Sequence, residues 1–365
     1  MGDSPARIAA AAGGSPRDEP RASPAPTDPQ PLERHVPNYE DDEDDTDSAL
    51  GDENASSTAS LSASILEYRT LHGRTYHSLR GNAEYWGPND DLAGESMDLT
   101  HHMLTILFGD KLFLAPIGDN PGKVLDIGCG TGVWAIDFAD AFPSSEVIGT
   151  DISPAQPSWV PANLRFEMDD CTQQPWAFAA GSFGFVHVRY LFGSVVDWEA
   201  LYGEAFRACR PGGWVEAVES ATRVDSDDGS VVPGMALHDF GPLFHEAGRK
   251  TGRSTSVVED GVVGRAFRAA GFVDVAERRF KVPLTPWPAD ERLRQVGLYA
   301  RLATEQGFEG FVLYLFTTIL GWSPQEVQVY VARARRELRD RKIKPYFVVQ
   351  VIYGRRPENA RAGGD

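Results

Sequence analysis

The stretch Val124-Leu125-Asp126-Ile127-Gly128-Cys129-Gly130-Thr131-Gly132 decides the fold. Its apolar start has the length and β-branched content of a short buried strand. Three glycines at alternate positions follow, and Val133 to Ala141 reads as an amphipathic helix. A chain adopts this order when backbone amides must approach a ligand at a helix N-terminus. The spacing is G-x-G-x-G, with Asp126 two residues ahead of the first glycine. A dinucleotide-binding turn requires a glycine or alanine three residues after its second glycine, and Val133 breaks that register.

Working outward, the chain alternates strands and helices. Strands are expected at Lys123–Ile127, Glu146–Asp151, Leu164–Met168, Phe183–Arg189 and Trp214–Val218. Helices are expected at Val133–Ala141 and Trp198–Cys209, and at Gly261–Ala270, which Gly271 stops. Phe272–Val282 and Tyr346–Tyr353 read as an antiparallel edge pair. The pattern implies an α/β fold around a mostly parallel sheet. Ahead of it, Leu61–Thr70 and Asp98–Phe108 have helical spacing. The expected layout is a tail over 1–54 and a helical cap over 55–115. A catalytic domain over 116–357 follows, with lid insertions at about 220–258 and 285–344, and a second tail over 358–365.

Composition narrows the function classes. The 365 residues are 42% hydrophobic, enough for a full core. The mean hydropathy is −0.31, and the longest apolar stretch, Phe311–Leu320, is too short to span a bilayer. Three cysteines without a C-x-x-C pair argue against a zinc site or a disulfide scaffold and for a reducing intracellular setting, cytoplasmic or nuclear. The net charge is −18, but residues 40–53 alone carry nine acids and no base. The tail is expected to be disordered, because its composition offers little apolar surface to offset ordering entropy. The acidic balance argues against direct nucleic-acid binding.

The glycine-rich motif resembles the first motif of S-adenosylmethionine (SAM)-dependent methyltransferases. On that reading each part of SAM finds a partner. The turn Gly128, Cys129, Gly130 and Gly132 brings N–H groups to the carboxylate, and Asp126 holds the turn and meets the ammonium group. Asp151, followed by Ile152, ends the second strand nineteen residues after Gly132, where a carboxylate accepts from ribose hydroxyls. Asp170 and Cys171 fit the adenine edge, with Asp169 as an alternative acid. His187 and Arg189 end the fourth strand beside the methyl-donor centre. Candidate general bases are His187, Tyr76 and His77, with His72 also in the N-terminal segment. Tyr76 and Tyr68 are alternatively packed over the cofactor, and His187 is equally read as a core histidine. His101-His102 reads as helix surface, since adjacent residues face different sides. No metal site is expected.

A more specific likeness spans roughly residues 60–357. The run VLDIGCGTGVWAIDFADAFPSSEVIGTDISPAQPSWVPANLRFEMDD, with EYRTLHGRTYHSL upstream and FVHVRYLFGSVVDW, RPGGWVEAVES and GFVDVAERRFKVPLTPWPAD downstream, resembles the fungal LaeA-like methyltransferases. That resemblance implies a class I (Rossmann-like) three-layer sandwich with strand order 3-2-1-4-5-7-6, helical lid insertions, and S-adenosyl-L-methionine as cofactor. It leaves the acceptor open: a small molecule of secondary metabolism, or a protein acceptor methylated by a nuclear regulator acting in a regulatory complex.

Overall fold

The computed structural model of the protein describes residues 68–77 and 85–359. The expected tail over 1–54, the helical reading of 61–67 and the last six residues lie outside them. Arg69 and Thr70, the end of that expected helix, belong instead to strand β1 (Arg69–Leu71), paired antiparallel with β2 (Arg74–Tyr76) through a turn at His72-Gly73. His72 and Gly73 both take positive φ there, which a helix does not tolerate.

Helix α1 (Asp91–Leu107) begins seven residues earlier than its apolar spacing indicates. Asp90 explains the difference: its side chain caps the helix by accepting from Ala93 N–H at 3.1 Å. The same carboxylate receives the Arg74 guanidinium at 2.6 Å, tying the hairpin to the helix start.

The main sheet holds seven strands. They are β3 (Lys123–Ile127), β4 (Glu146–Asp151), β5 (Leu164–Met168), β6 (Phe183–Arg189), β7 (Cys209–Ser220), β8 (Val273–Pro283) and β9 (Tyr346–Arg355). Their spatial order is β5-β4-β3-β6-β7-β9-β8. Counted within the sheet this is 3-2-1-4-5-7-6. The first five pair in parallel, and β9 runs antiparallel to both neighbours. The order reverses between β3 and β6, so the C-terminal ends of β3, β4 and β6 open on one crevice.

Helices cover both faces. On one side α2 (Val133–Ala141) buries Trp134 and Phe138 against Val124, Val147 and Phe185. On the other, α3 (Trp198–Ala208) and α5 (Val262–Ala270) bury Leu201, Tyr202 and Phe267 against Leu125, Val186 and Val215. The strands between are apolar on both faces, as a doubly covered sheet requires.

A third core forms largely among helices between β7 and β8 and between β8 and β9. Helix α4 (Ala236–Thr251), helix α6 (Glu291–Tyr314) with its π-turn Leu315–Ile319, and helix α7 (Pro324–Arg339) enclose Phe244, Phe308, Phe316 and Tyr330. A carboxylate fixes this cluster: Glu337 of α7 accepts the N–H groups of Ala236 and Leu237 at 2.9 Å each, at the start of α4. Helix α1 joins α6, with the Ser96 hydroxyl donating to the Ala303 carbonyl at 3.0 Å.

Candidate functional site: a crevice at the carboxyl ends of the parallel strands

A cavity of about 620 Å³ opens beyond β3, β4 and β6, and the glycine turn forms part of its wall. Gly128, Gly130 and Gly132 all have positive φ. At Gly132 a Cβ would fall on the Phe166 ring, so the turn needs glycine there for space as well as for conformation. A Cβ at Gly130 would lie 3.1 Å from the Met97 sulfur of α1, which also lines the cavity.

Asp151 stands at the tip of β4 and lines the cavity. Its carboxylate accepts Gly130 N–H at 2.8 Å and Ser153 N–H at 2.9 Å. An ionised carboxylate offers about four acceptor positions, so lone pairs remain for a ligand. Burial pushes its pKa up to about 6, against the pull of the N–H donors. The glycine turn is braced by Gln156, whose amide donates to the Gly130 carbonyl at 2.7 Å. Thr131 donates to Asp98 of α1 at 2.7 Å, a link between turn and cap.

Cys129, Ile152, Asp169, Asp170 and Cys171 also line the cavity. Asp170 is pinned in a local turn, its Oδ1 accepting from Thr172 N–H at 3.0 Å and from the Thr172 hydroxyl at 2.7 Å. Burial raises the thiol pKa of Cys129 and Cys171, which makes both packing residues rather than thiolates.

Arg189 ends β6 and lines the cavity. Its guanidinium donates to His101 Nδ1 at 3.1 Å, and His101 Nε2 lies 2.9 Å from Asp137 Oδ2 of α2. Among the described residues no carboxylate lies within ion-pair distance of this cation. Burial pulls its pKa down, an energetic demand that an anionic ligand would meet. His101 is therefore no surface residue: it is 5% exposed, because α1 packs over the crevice instead of facing solvent on that side.

Six expected residues, His72, Tyr76, His77, Asp126, Gly132 and His187, stay out of the cavity wall. His187 is 1% exposed, its ring stacked on Trp134 at 3.7 Å and its Nδ1 2.7 Å from Asp126 Oδ1. Burial lowers its pKa, so it is a neutral ring that donates to Asp126 from inside the core. Asp126 is thereby committed to His187 and, like it, is absent from the wall. The Tyr76 ring packs on Tyr314 at 5.8 Å, and burial pushes its hydroxyl pKa up to about 12. His77 is buried beside it, and neither lines the cavity. Tyr68 does line it, whereas His72 is exposed at the hairpin turn. Gly132 supports the turn from behind as the N-cap of α2.

The far end of the cavity is apolar and aromatic. Trp86, Phe240, Phe244, Phe308 and Phe311 line it. Trp86 contacts Phe192, Phe244 and Phe311 with ring centroids 5.5–6.2 Å apart, and its Nε1–H donates to the Phe192 carbonyl at 3.1 Å. Among the cavity-lining residues the Tyr190 and Ser194 hydroxyls and the Asn89 side-chain amide are buried with no hydrogen bond.

Two buried acids that sequence reasoning passed over anchor backbone against β7, and one of them, Glu219, does so at cavity-lining residues. Glu219 of β7 accepts Leu191 N–H at 3.0 Å and Phe192 N–H at 3.2 Å. Burial pushes its pKa up to about 8. Glu216 accepts Leu114 N–H and Ala115 N–H at 2.8 and 2.6 Å, with its pKa pushed up to about 7. Acids inside the otherwise apolar stretch Trp214–Ser220 were the available signal, since a buried carboxylate requires donors.

This site fits SAM. The crevice presents a cation for its one carboxylate, a strand-end carboxylate for the ribose diol, a glycine turn without side chains to obstruct close approach, and volume in the range of small-molecule pockets.

Comparison with known proteins agrees with the geometry. A family profile described as a methyltransferase domain matches residues 99–277. The chain is similar to the methyltransferase pytC of Aspergillus terreus, 37% identical over 303 residues, covering 83% of this chain and 92% of the relative. It is also similar to the secondary metabolism regulator laeA of Monascus pilosus, 34% identical over 287 residues, covering 78% of this chain and 77% of that one. Among solved structures, a phosphoethanolamine N-methyltransferase 2 of Haemonchus contortus bound to SAM matches at 18% identity with a TM-score of 0.41, covering 72% of this chain and 52% of that one, too distant to bear on function. On the strength of its sequence relatives, and with a crevice whose groups match the methyl donor, the chain belongs to the LaeA-like family of SAM-dependent methyltransferases.

Proposed function

We propose that this methyltransferase acts on a small acceptor with an apolar, ring-bearing body in secondary metabolism. The observation that carries the reading is the aromatic chamber of Trp86, Phe240, Phe244, Phe308 and Phe311, continuous with the crevice of Gly130 and Asp151. Such a chamber desolvates an apolar ligand, and its few polar atoms set orientation.

In this reading Asp151 accepts from the ribose hydroxyls, Arg189 faces the carboxylate, and the Asp170–Cys171 turn meets the adenine edge. When bound, SAM supplies a methyl group on a positively charged sulfur. The chain's own contribution is alignment: the aromatic wall and the Tyr190 and Ser194 hydroxyls hold the acceptor in line with the donor. His187, Tyr76 and His77 are buried structural groups here, and transfer needs no base from them.

The alternative acceptor is a protein, in keeping with relatives named as regulators of secondary metabolism. Incubation of the purified protein with methyl-labelled SAM and fungal extract separates the two. Label in a solvent-extractable compound supports the proposal. Label confined to polypeptide refutes it and leaves the regulatory reading.

A further inference from the structure

His101 joins the cap to the crevice, and its two hydrogen bonds fix its proton. The Arg189 guanidinium carries donors only, so His101 Nδ1, 3.1 Å away, must offer a lone pair. The ring proton therefore sits on Nε2 and donates to Asp137 Oδ2 at 2.9 Å. A second proton on the ring would set N–H against N–H at the Arg189 contact and place two cations side by side. We propose that His101 is a positioning residue for the methyl donor: the neutral ring holds the Arg189 guanidinium toward the carboxylate of SAM, and protonation of the ring releases it. The proposal rests on the donor-site reading given above.

The surroundings bear on this titration. Asp137 of α2 and both Arg189 and His187 of β6 act on the His101 ring. Asp126 of β3, Asp98 of α1, Asp137 and Tyr190 act on Arg189. Helix α6, which also packs on α1, presents Tyr299 to the neighbouring His102, with ring centroids 4.4 Å apart, and strands β7, β8 and β9 meet α1 through the apolar Val218, Val282, Val349 and Val351. Burial lowers the His101 pKa, Arg189 lowers it further, and Asp137 opposes them. The ring is thus neutral at pH 7 and takes its proton only below its ordinary 6.5. Donor affinity then falls as pH drops through that lower value, by up to tenfold per pH unit for one proton. Asp151, with its pKa near 6, adds its own acid weakening, so a variant must separate the two.

The test is S-adenosylhomocysteine binding to the full chain by calorimetry from pH 8 to pH 5. His101→Asn is the informative variant, because its amide oxygen sits near the Nδ1 position and accepts from Arg189 without titrating. It is expected to bind within about threefold of wild type at pH 7.5 and to lose one proton's worth of the acid slope, roughly a tenfold smaller loss per pH unit. His101→Phe is expected to bind weakly at every pH, with its thermal midpoint monitored to exclude unfolding. Nitrogen-15 spectra of the ligand-free protein should show the His101 proton on Nε2. Tight binding with an unchanged slope in His101→Asn overturns this proposal alone, as does a proton on Nδ1. No binding by wild type at pH 7.5 overturns the donor-site reading and this proposal with it.

Discussion

Asp151→Asn separates a carboxylate kept for ligand from one kept for stability. In the folded protein Asp151 titrates near pH 6, against an ordinary value of 3.8. The folded-state pKa is raised, so this group favours folding below pH 3.8, and that advantage is lost as pH rises through 6. Two pKa units correspond to about 3 kcal/mol of folding free energy forgone at pH 7. Asparagine does not carry that cost. It keeps one acceptor for Gly130 or Ser153 but turns its own N–H₂ toward the other donor, which costs about 1–3 kcal/mol. Ligand-free stability in urea at pH 7 should therefore change little, between roughly no loss and a gain of about 2 kcal/mol. Binding should suffer more. Each of the two ribose hydroxyls exchanges a charged acceptor for a neutral one, a loss of about 1–1.5 kcal/mol apiece, so S-adenosylhomocysteine affinity should fall on the order of 100-fold by calorimetry. Unchanged affinity would refute the ribose role. A stability loss of several kcal/mol with affinity retained would show that the carboxylate exists to hold the turn.

Other consequences are equally open to measurement. Gly132→Ala forces a side chain into the left-handed region and onto Phe166, and should lower stability by at least about 1–3 kcal/mol in thermal or urea unfolding. Glu219, with its pKa raised to about 8, favours folding at low pH and loses that contribution as pH rises through 8; wild type should weaken between pH 6.5 and 9, while Glu219→Gln shows a smaller slope in urea titrations at the two pH values. Trp86→Phe keeps a ring but drops the bond to the Phe192 carbonyl, so the unfolding midpoint should fall with a cost of about 1 kcal/mol while S-adenosylhomocysteine affinity stays at the wild-type level.

Much of the frame was legible because its signals are local. The strands Lys123–Ile127, Glu146–Asp151, Leu164–Met168 and Phe183–Arg189 have the bounds their apolar runs indicate. Where bounds moved, a side-chain bond or a turn conformation was responsible: Asp90 extends α1, and positive φ at His72 closes a hairpin whose first strand takes up Arg69 and Thr70, the end of an expected helix. The third core was less legible, since Glu337 meets α4 across about a hundred residues of chain.

Sequence alone determined the strand–turn–helix around Gly130 and the position of Asp151, because short-range backbone geometry and strand length dictate both. Tertiary packing decided which ionisable groups reach the crevice. His187 and Asp126 look like site residues in the chain, yet their strands direct them into the core, where each satisfies the other. His101 looks like surface, yet α1 lies across the sheet and delivers it to Arg189. A side chain's burial and proton affinity depend on elements remote in sequence, and these carry no periodic signal of their own.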